Sequence, residues 1–151
     1  MQQPDTIGRF GYVSDYDPSR HYARVEFPDL GITSAWLPVG VPNTYSNHSE
    51  RPLDIGEHVY CLLHDNTGII LCSVYDDKNK PPKGDKDTHI MTFQDGTTIS
   101  YDRKKHILAI DIQGDLCITA TGKIESTSGG DTNITSGSHI LGIAPKIDFN
   151  P

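Results

Sequence analysis

From His106 onward the chain can be written as successive groups of eight residues: HILAIDIQ, GDLCITAT, GKIESTSG, GDTNITSG and SHILGIAP, then KIDFNP. The third places read Leu108, Leu116, Ile124, Thr132 and Ile140, and the fifth read Ile110, Ile118, Ser126, Ile134 and Gly142. The seventh read Ile112, Ala120, Ser128, Ser136 and Ala144, whereas the second read Ile107, Asp115, Lys123, Asp131 and His139. Odd places from three to seven are thus small or apolar and the alternate phase is mostly polar, a period of two nested in a period of eight. Each octad predicts a short strand with one inward side, followed by a turn. A single chain of such strands would be a ribbon with a bare apolar stripe and open edges. Stripe and edges disappear together when three chains wind around a common axis and pair with one another. The pattern therefore predicts an intertwined trimeric β-helix with Leu108, Ile110, Ile112, Leu116, Ile118, Ile124, Ile134 and Ile140 as the trimer core. A single-chain solenoid is the competing reading, but one chain that encircles its own core needs longer coils.

Upstream, the alternation predicts strands in RFGYVSDY, HYARVEFPD, TSAWLPVG, HVYCLLHD and GIILCSVYDD. Five short strands separated by Pro, Gly, Asn and Asp point to a small closed barrel such as an OB-fold. VPNTYSNHSERPLDIGE, Val41 to Glu57, is the long connection between the third and fourth. DDKNKPPKGDKDT, Asp76 to Thr88, is charged, carries Pro81-Pro82 and reads as an extended spacer. Asp95-Gly96, between two alternating runs, signals a hairpin. The expected organisation is all-β: an OB-fold collar over residues 1–78, a linker over 79–92 and a trimeric β-helix spike over 93–151.

Composition adds limits. Hydrophobic residues make up 35% of the 151, so part of the chain is non-globular or completes its core with other chains. Thirteen basic against 20 acidic residues give a net charge of -7, which argues against binding nucleic acid through a basic surface. No apolar run approaches a transmembrane helix, and MQQPDTIGRFGY has no charged region followed by an apolar one, so no secretory signal is expected. Cys61, Cys72 and Cys117 form no CxxC pair and are expected to be reduced, mostly buried thiols of a protein made in the cytoplasm.

Candidate chemistry is sparse. Asp15, Asp17, Glu26 and Asp29 fall near strand ends, where carboxylates ordinarily meet water, not in a pair flanking a cleft. His21, His48, His58, His64 and His89 have no HExxH spacing, no cysteine pair and no Ser or Asp partner, and read as surface or loop residues. No enzyme activity is expected. Arg9, Phe10, Tyr12, Arg20, Tyr22 and Arg24 form a modest basic and aromatic group, which leaves an OB-fold binding module for glycan or single-stranded nucleic acid as the alternative. Trp36, the single tryptophan, is expected to pack in the barrel or against a neighbouring subunit.

Several pieces carry a resemblance. They are Gly8-Arg9-Phe10-Gly11-Tyr12-Val13, ARVEFPDLGITSAWLPV, DIGEHVYCLL, GIILCSVYDDKNKPP and FQDGTTISYDRKKHILAIDI, in that order over nearly the whole chain. Together they resemble the baseplate assembly protein V family, the central spike proteins of contractile phage tails, related to R-type bacteriocin and type VI secretion spikes. The resemblance implies an N-terminal OB-fold, a homotrimeric β-helix needle, attachment to a baseplate hub protein and a place in the virion tail or an equivalent particle. It implies a mechanical role, piercing the target cell's outer membrane on sheath contraction. Several members hold an iron ion at the tip through a His-x-His pair. Here GSHILGIAPKIDFNP has only His139, in the outward phase. The expectation is therefore no metal and no cofactor, with Ile147 or Phe149 forming an apolar end covered by a separate conical tip protein.

Overall fold

The structure, a computed structural model, describes residues 6–65 and 67–148. The described residues are all-β, with nine strands and no helix. The chain divides into two units, Met1–Asp111 and Ile112–Pro151.

In the first unit, β1 (Thr6–Asp17) pairs antiparallel with β2 (Tyr22–Phe27) and with β5 (His58–His64). Two short strands, β3 (Ile32–Thr33) and β4 (Leu37–Pro38), both pair with β2, and β6 (Thr67–Ser73) pairs with β5. A parallel bridge joins Val39 to Ile70, and the Gly40 N–H donates to the Ile70 carbonyl at 2.8 Å. Pairing can thus be followed from β1 through β2, β4, β6 and β5 back to β1.

Period-two alternation places the core. Ala23, Val25 and Phe27 of β2, Val59 and Cys61 of β5, Val13 of β1 and Ile70 of β6 are buried with Leu37 and Leu53. Strand β1 pairs with β5 over Thr6 to Tyr12 and with β2 from Tyr12 onward, where its register shifts between Val13 and Asp15. Such an irregularity bends a strand and lets its two halves follow different partners. The expected third strand, TSAWLPVG, is interrupted. Ser34 Oγ accepts the Val25 N–H at 2.9 Å while Ser34 N–H donates to the Val25 carbonyl, so a side chain replaces one rung of the ladder.

The glycines of the first motif have distinct reasons. A Cβ on Gly8 would overlap the Tyr60 phenol, and one on Gly11 would lie 2.5 Å from Val25 Cγ1 and 2.6 Å from the Glu26 carbonyl oxygen.

The remaining three strands form a separate sheet: β7 (Thr88–Thr92), β8 (Thr98–Asp102) and β9 (Ile107–Asp111), in that order. The first hairpin turns at Asp95-Gly96, as expected, with Gly96 at φ 91° and the Asp95 carboxylate accepting the Thr97 N–H at 2.8 Å. Strand β7 lies inside the segment expected as linker, so ladder pairing begins at Thr88. The charged run ends at Asp87, and the strand begins at the next residue.

One local device recurs. Asp17-Pro18-Ser19-Arg20-His21 joins β1 to β2, and Asp102-Arg103-Lys104-Lys105-His106 joins β8 to β9. In each, the first carboxylate accepts the N–H two residues on, and the last residue is left-handed, at φ 56° for His21 and 58° for His106. Aspartate suits this place because its short side chain reaches its own following backbone.

The second unit has a different character. The first octad supplies β9, but from residue 112 to 148 no residue is in a strand or helix of this single chain, and all are exposed except half-buried Ile112.

We expect Gly11→Ala to destabilise the first unit by about 1–3 kcal/mol, because Val25 and the β2 backbone must give way. Thermal or urea unfolding measures this, and an unchanged midpoint would refute the close approach.

Candidate functional site

Two kinds of surface stand out on the first unit: polar and aromatic clusters on its larger sheet, and uncovered apolar rows on its smaller one. In the first kind, Phe10 and Tyr12 of β1 lie against His58 and Tyr60 of β5. Ring centroids are 4.8 Å apart for Phe10 and Tyr60, and 4.9 Å for the stacked pair Tyr12 and His58. Tyr12 Oη donates to Asp76 at 2.7 Å, and Lys78 Nζ sits 4.9 Å from the Tyr12 ring centroid. Asp76 also accepts the N–H groups of Lys78 and Asn79 at 2.9 and 2.6 Å. These donors, Asn79 foremost, hold the Asp76 carboxyl down at about 2, while its hydrogen bond with Asp76 raises the Tyr12 phenol above its ordinary value. The start of the charged segment is thereby strapped to the sheet.

Beside this ladder is a cavity of about 440 Å³ lined by Arg9, Phe10, Gly11, Tyr12, Pro28, Asp29 and His58. The sequence-derived basic and aromatic group is thus divided. Arg9, Phe10 and Tyr12 meet here, whereas the Arg20 guanidinium lies 5.3 Å from the Tyr22 ring centroid and 5.5 Å from that of Trp36. Each arginine is engaged within the chain. Arg9 pairs with Asp29, Arg20 with Asp17 at 2.7 Å, and Arg24 Nε donates to the Ser34 carbonyl. Backbone-neutralising cations for a nucleic acid would have to leave these partners, which weighs against the oligonucleotide alternative.

The expected carboxylates serve the same local ends. Asp17 is held down at about 2 by Ser19 and then Arg20, and Asp15 accepts the Tyr16 N–H. Two histidines differ from the surface positions expected. His21 and His58 side chains are only 18% and 15% exposed, His21 with its Nδ1 2.7 Å from Tyr16 Oη and His58 under the Tyr12 ring. Trp36 is neither in the core nor in a strand; it flanks Arg20. The cysteines are free, but only Cys61 is buried, and its thiol is pushed up to about 11 by burial, with Cys72 adding to the shift. Cys72 and Cys117 are exposed: Cys72 follows the register shift in the β5–β6 pair, and Cys117 lies in the second unit, where residues 113 to 148 are exposed in either octad phase.

The expected trimer-core residues other than Ile112 are uncovered in one chain. Leu108 and Ile110 on β9 are 65% and 58% exposed, and Leu116, Ile118, Ile124, Ile134 and Ile140 lie between 66% and 74%. Ile112 is half-buried. Strand pairing brings further apolar residues beside the first two: Ile110 lies opposite Ile99, which lies opposite Met91, and Leu108 lies opposite Tyr101. Counting octads from His106 excludes Met91, Ile99 and Tyr101. The signal that finds them is the Asp95-Gly96 hairpin, which folds two alternating runs onto one face. No protein-family model and no curated protein matches the chain.

The Asp76 strap carries a pH signature. Its carboxyl is depressed in the folded chain from 3.8 to about 2, so its stabilising contribution is present above 3.8 and is lost as pH falls through about 2. Melts of the wild type and Asp76→Asn across this range are expected to converge at the acid end. A constant gap between them would show that the carboxylate form of Asp76 contributes nothing.

Proposed function

We propose that this protein is the central spike of a contractile-tail baseplate, a homotrimer that acts mechanically and not as an enzyme. One observation carries the reading. From residue 113 to 148 the chain is exposed throughout, and the apolar places of its octads find no cover within one chain. Isoleucines at such regular spacing lose their water contact only against other chains, and unpaired strand edges are satisfied in the same step. Three chains with one or two apolar places per octad supply a thin column of core.

The larger sheet supports the collar assignment. A β1–β2–β4–β6–β5 circuit with a single parallel join, at Val39 and Ile70, suits an OB-type barrel. In this reading the barrel attaches the spike to a hub protein, and a separate conical protein covers the distal end. His139 keeps its outward octad phase and binds no metal. Phe149, which shares the expected apolar end with Ile147, lies outside the described residues. The resemblance of FPDLGITSAWLPV, SVYDDKNKPP and DGTTISYD to the baseplate assembly protein V family points the same way.

Sedimentation of the full chain is expected to give a trimer at micromolar concentration. A stable folded monomer would remove the basis of the reading. Ile118→Asp sets a carboxylate from each chain near the axis and is expected to cost on the order of 3–5 kcal/mol and to weaken assembly. Unaltered trimerisation and melting would show that the inward phase is misassigned. The particle role is tested by electron microscopy of tails lacking this protein, where normally assembled baseplates would exclude it.

A further inference from the structure

The β7–β8–β9 sheet has two unlike faces. On one, Met91, Ile99 and Ile110 form one cross-strand row, and His89, Tyr101 and Leu108 form the next. The apolar members of these rows are 38% to 65% exposed. The opposite face is mixed: it carries Thr88, Ser100 and Asp102 with Ile90 and a 53% exposed Ile107, and the chain's own approach covers part of it, with Gly84 near Ile90. Among the described residues, β7, β8 and β9 pair only with one another, and no other strand covers the apolar rows. Three paired strands with an apolar face can form alone, and covering that face removes its remaining apolar surface from water.

We infer that this face is where copies of the chain first dock, and that it sets the register in which their octads pair. The inference rests on the proposed trimer and adds to it a defined surface and a task. The occupant is another copy because the apolar phase does not stop at the sheet. Leu108 and Ile110 continue in the sequence as Ile112, Leu116 and Ile118 at the same even positions. A partner that covers the β9 residues and the stripe after them must repeat this spacing, which this chain itself does.

The task follows from the repeats. GDLCITAT, GKIESTSG and GDTNITSG are nearly interchangeable in polarity, so sliding one chain by an octad keeps inward places inward. Such small, polar and Gly-rich strands specify register weakly. The sheet rows are not repeated elsewhere: one carries Met91 and Ile99, the next His89 and Tyr101, and a shifted copy would set unlike rows together. The sheet is built from two tight hairpins within one chain, and hairpins form in about 1–10 μs, ahead of slower subunit assembly. Each chain therefore arrives with its docking face formed and its octads unpaired.

The test uses the full chain with the exposed thiols removed by Cys72→Ser and Cys117→Ser. Ile99→Cys reports the apolar face and Ala109→Cys the opposite one. We expect maleimide to label the first at least about tenfold more slowly than the second in the trimer, the protection that a closed interface gives. Equal labelling in a trimeric protein would overturn the docking face and leave the trimer reading intact, whereas a monomeric protein would overturn both. Register is read from interchain disulfides at Ile118→Cys, which form between chains aligned at the same level. Adding Ile99→Asp is expected to lower that yield about tenfold, the effect of roughly 1.4 kcal/mol, and adding Ala109→Asp to leave it unchanged. An undiminished yield with Ile99→Asp would overturn the registering role. The labelling experiment introduces no charge, so it decides the docking face even if Ile99→Asp fails to fold.

Discussion

The hydrogen bond from the Gly40 N–H to the Ile70 carbonyl is the join on which the larger sheet depends. It connects the end of β4 to β6, and without it the remaining pairing is an open row from β3 to β6. Glycine suits the place, since a Cβ there would stand 3.1 Å from the same carbonyl oxygen. Closing the circuit lets a handful of side chains, with Phe27 and Ile70 the largest, form a core that holds no buried polar or charged residue among the described residues. The short strands β3 and β4 are each held by pairing with β2.

Beyond that core the chain spends its apolar residues differently. The smaller sheet and the octads leave most of theirs uncovered, at odd octad places from Leu108 to Ile140 and off that phase at Ile107, Leu141 and Ile143, while Asp-held turns join the strands of the sheet. Hydrophobic content that is low for a compact globule is thus distributed between a part that closes on itself and a part that does not. Local folding of the first unit thus needs few apolar contacts, and many of the remaining apolar side chains stay exposed in the single chain.

The fold was legible where alternation was long and bounded by turn residues. Strands β1, β2, β5 and β6 lie where the alternating runs put them, and Asp95-Gly96 marks a true hairpin. What was not legible has local causes. The third run contains Ser34, whose hydroxyl competes with the backbone ladder, and no pattern of polarity announces that. Strand β7 begins directly after the charged segment, and composition alone does not say that ladder pairing starts at Thr88. The candidate surfaces were readable in part. Octad counting finds Leu108 and Ile110 but not their cross-strand neighbours, which only the hairpin register supplies. The grouping of arginines was misleading for the same reason: proximity in sequence concealed that Arg9 and Arg20 serve separate ion pairs.

The turn between β8 and β9 has a consequence for proteolysis. It presents Arg103, Lys104 and Lys105 in succession, all exposed, which are three adjacent cleavage positions for a trypsin-like protease. Yet the Lys104 and Lys105 N–H groups are both held by the Asp102 carboxylate, and the Arg103 N–H by the Asp87 carbonyl. A protease binds its substrate extended, so the peptide bonds are accessible only after these three hydrogen bonds open. Cleavage at this loop then follows the open fraction and not the abundance of basic residues. The hairpin acts as a fuse, intact while the smaller sheet holds and cut when it frays.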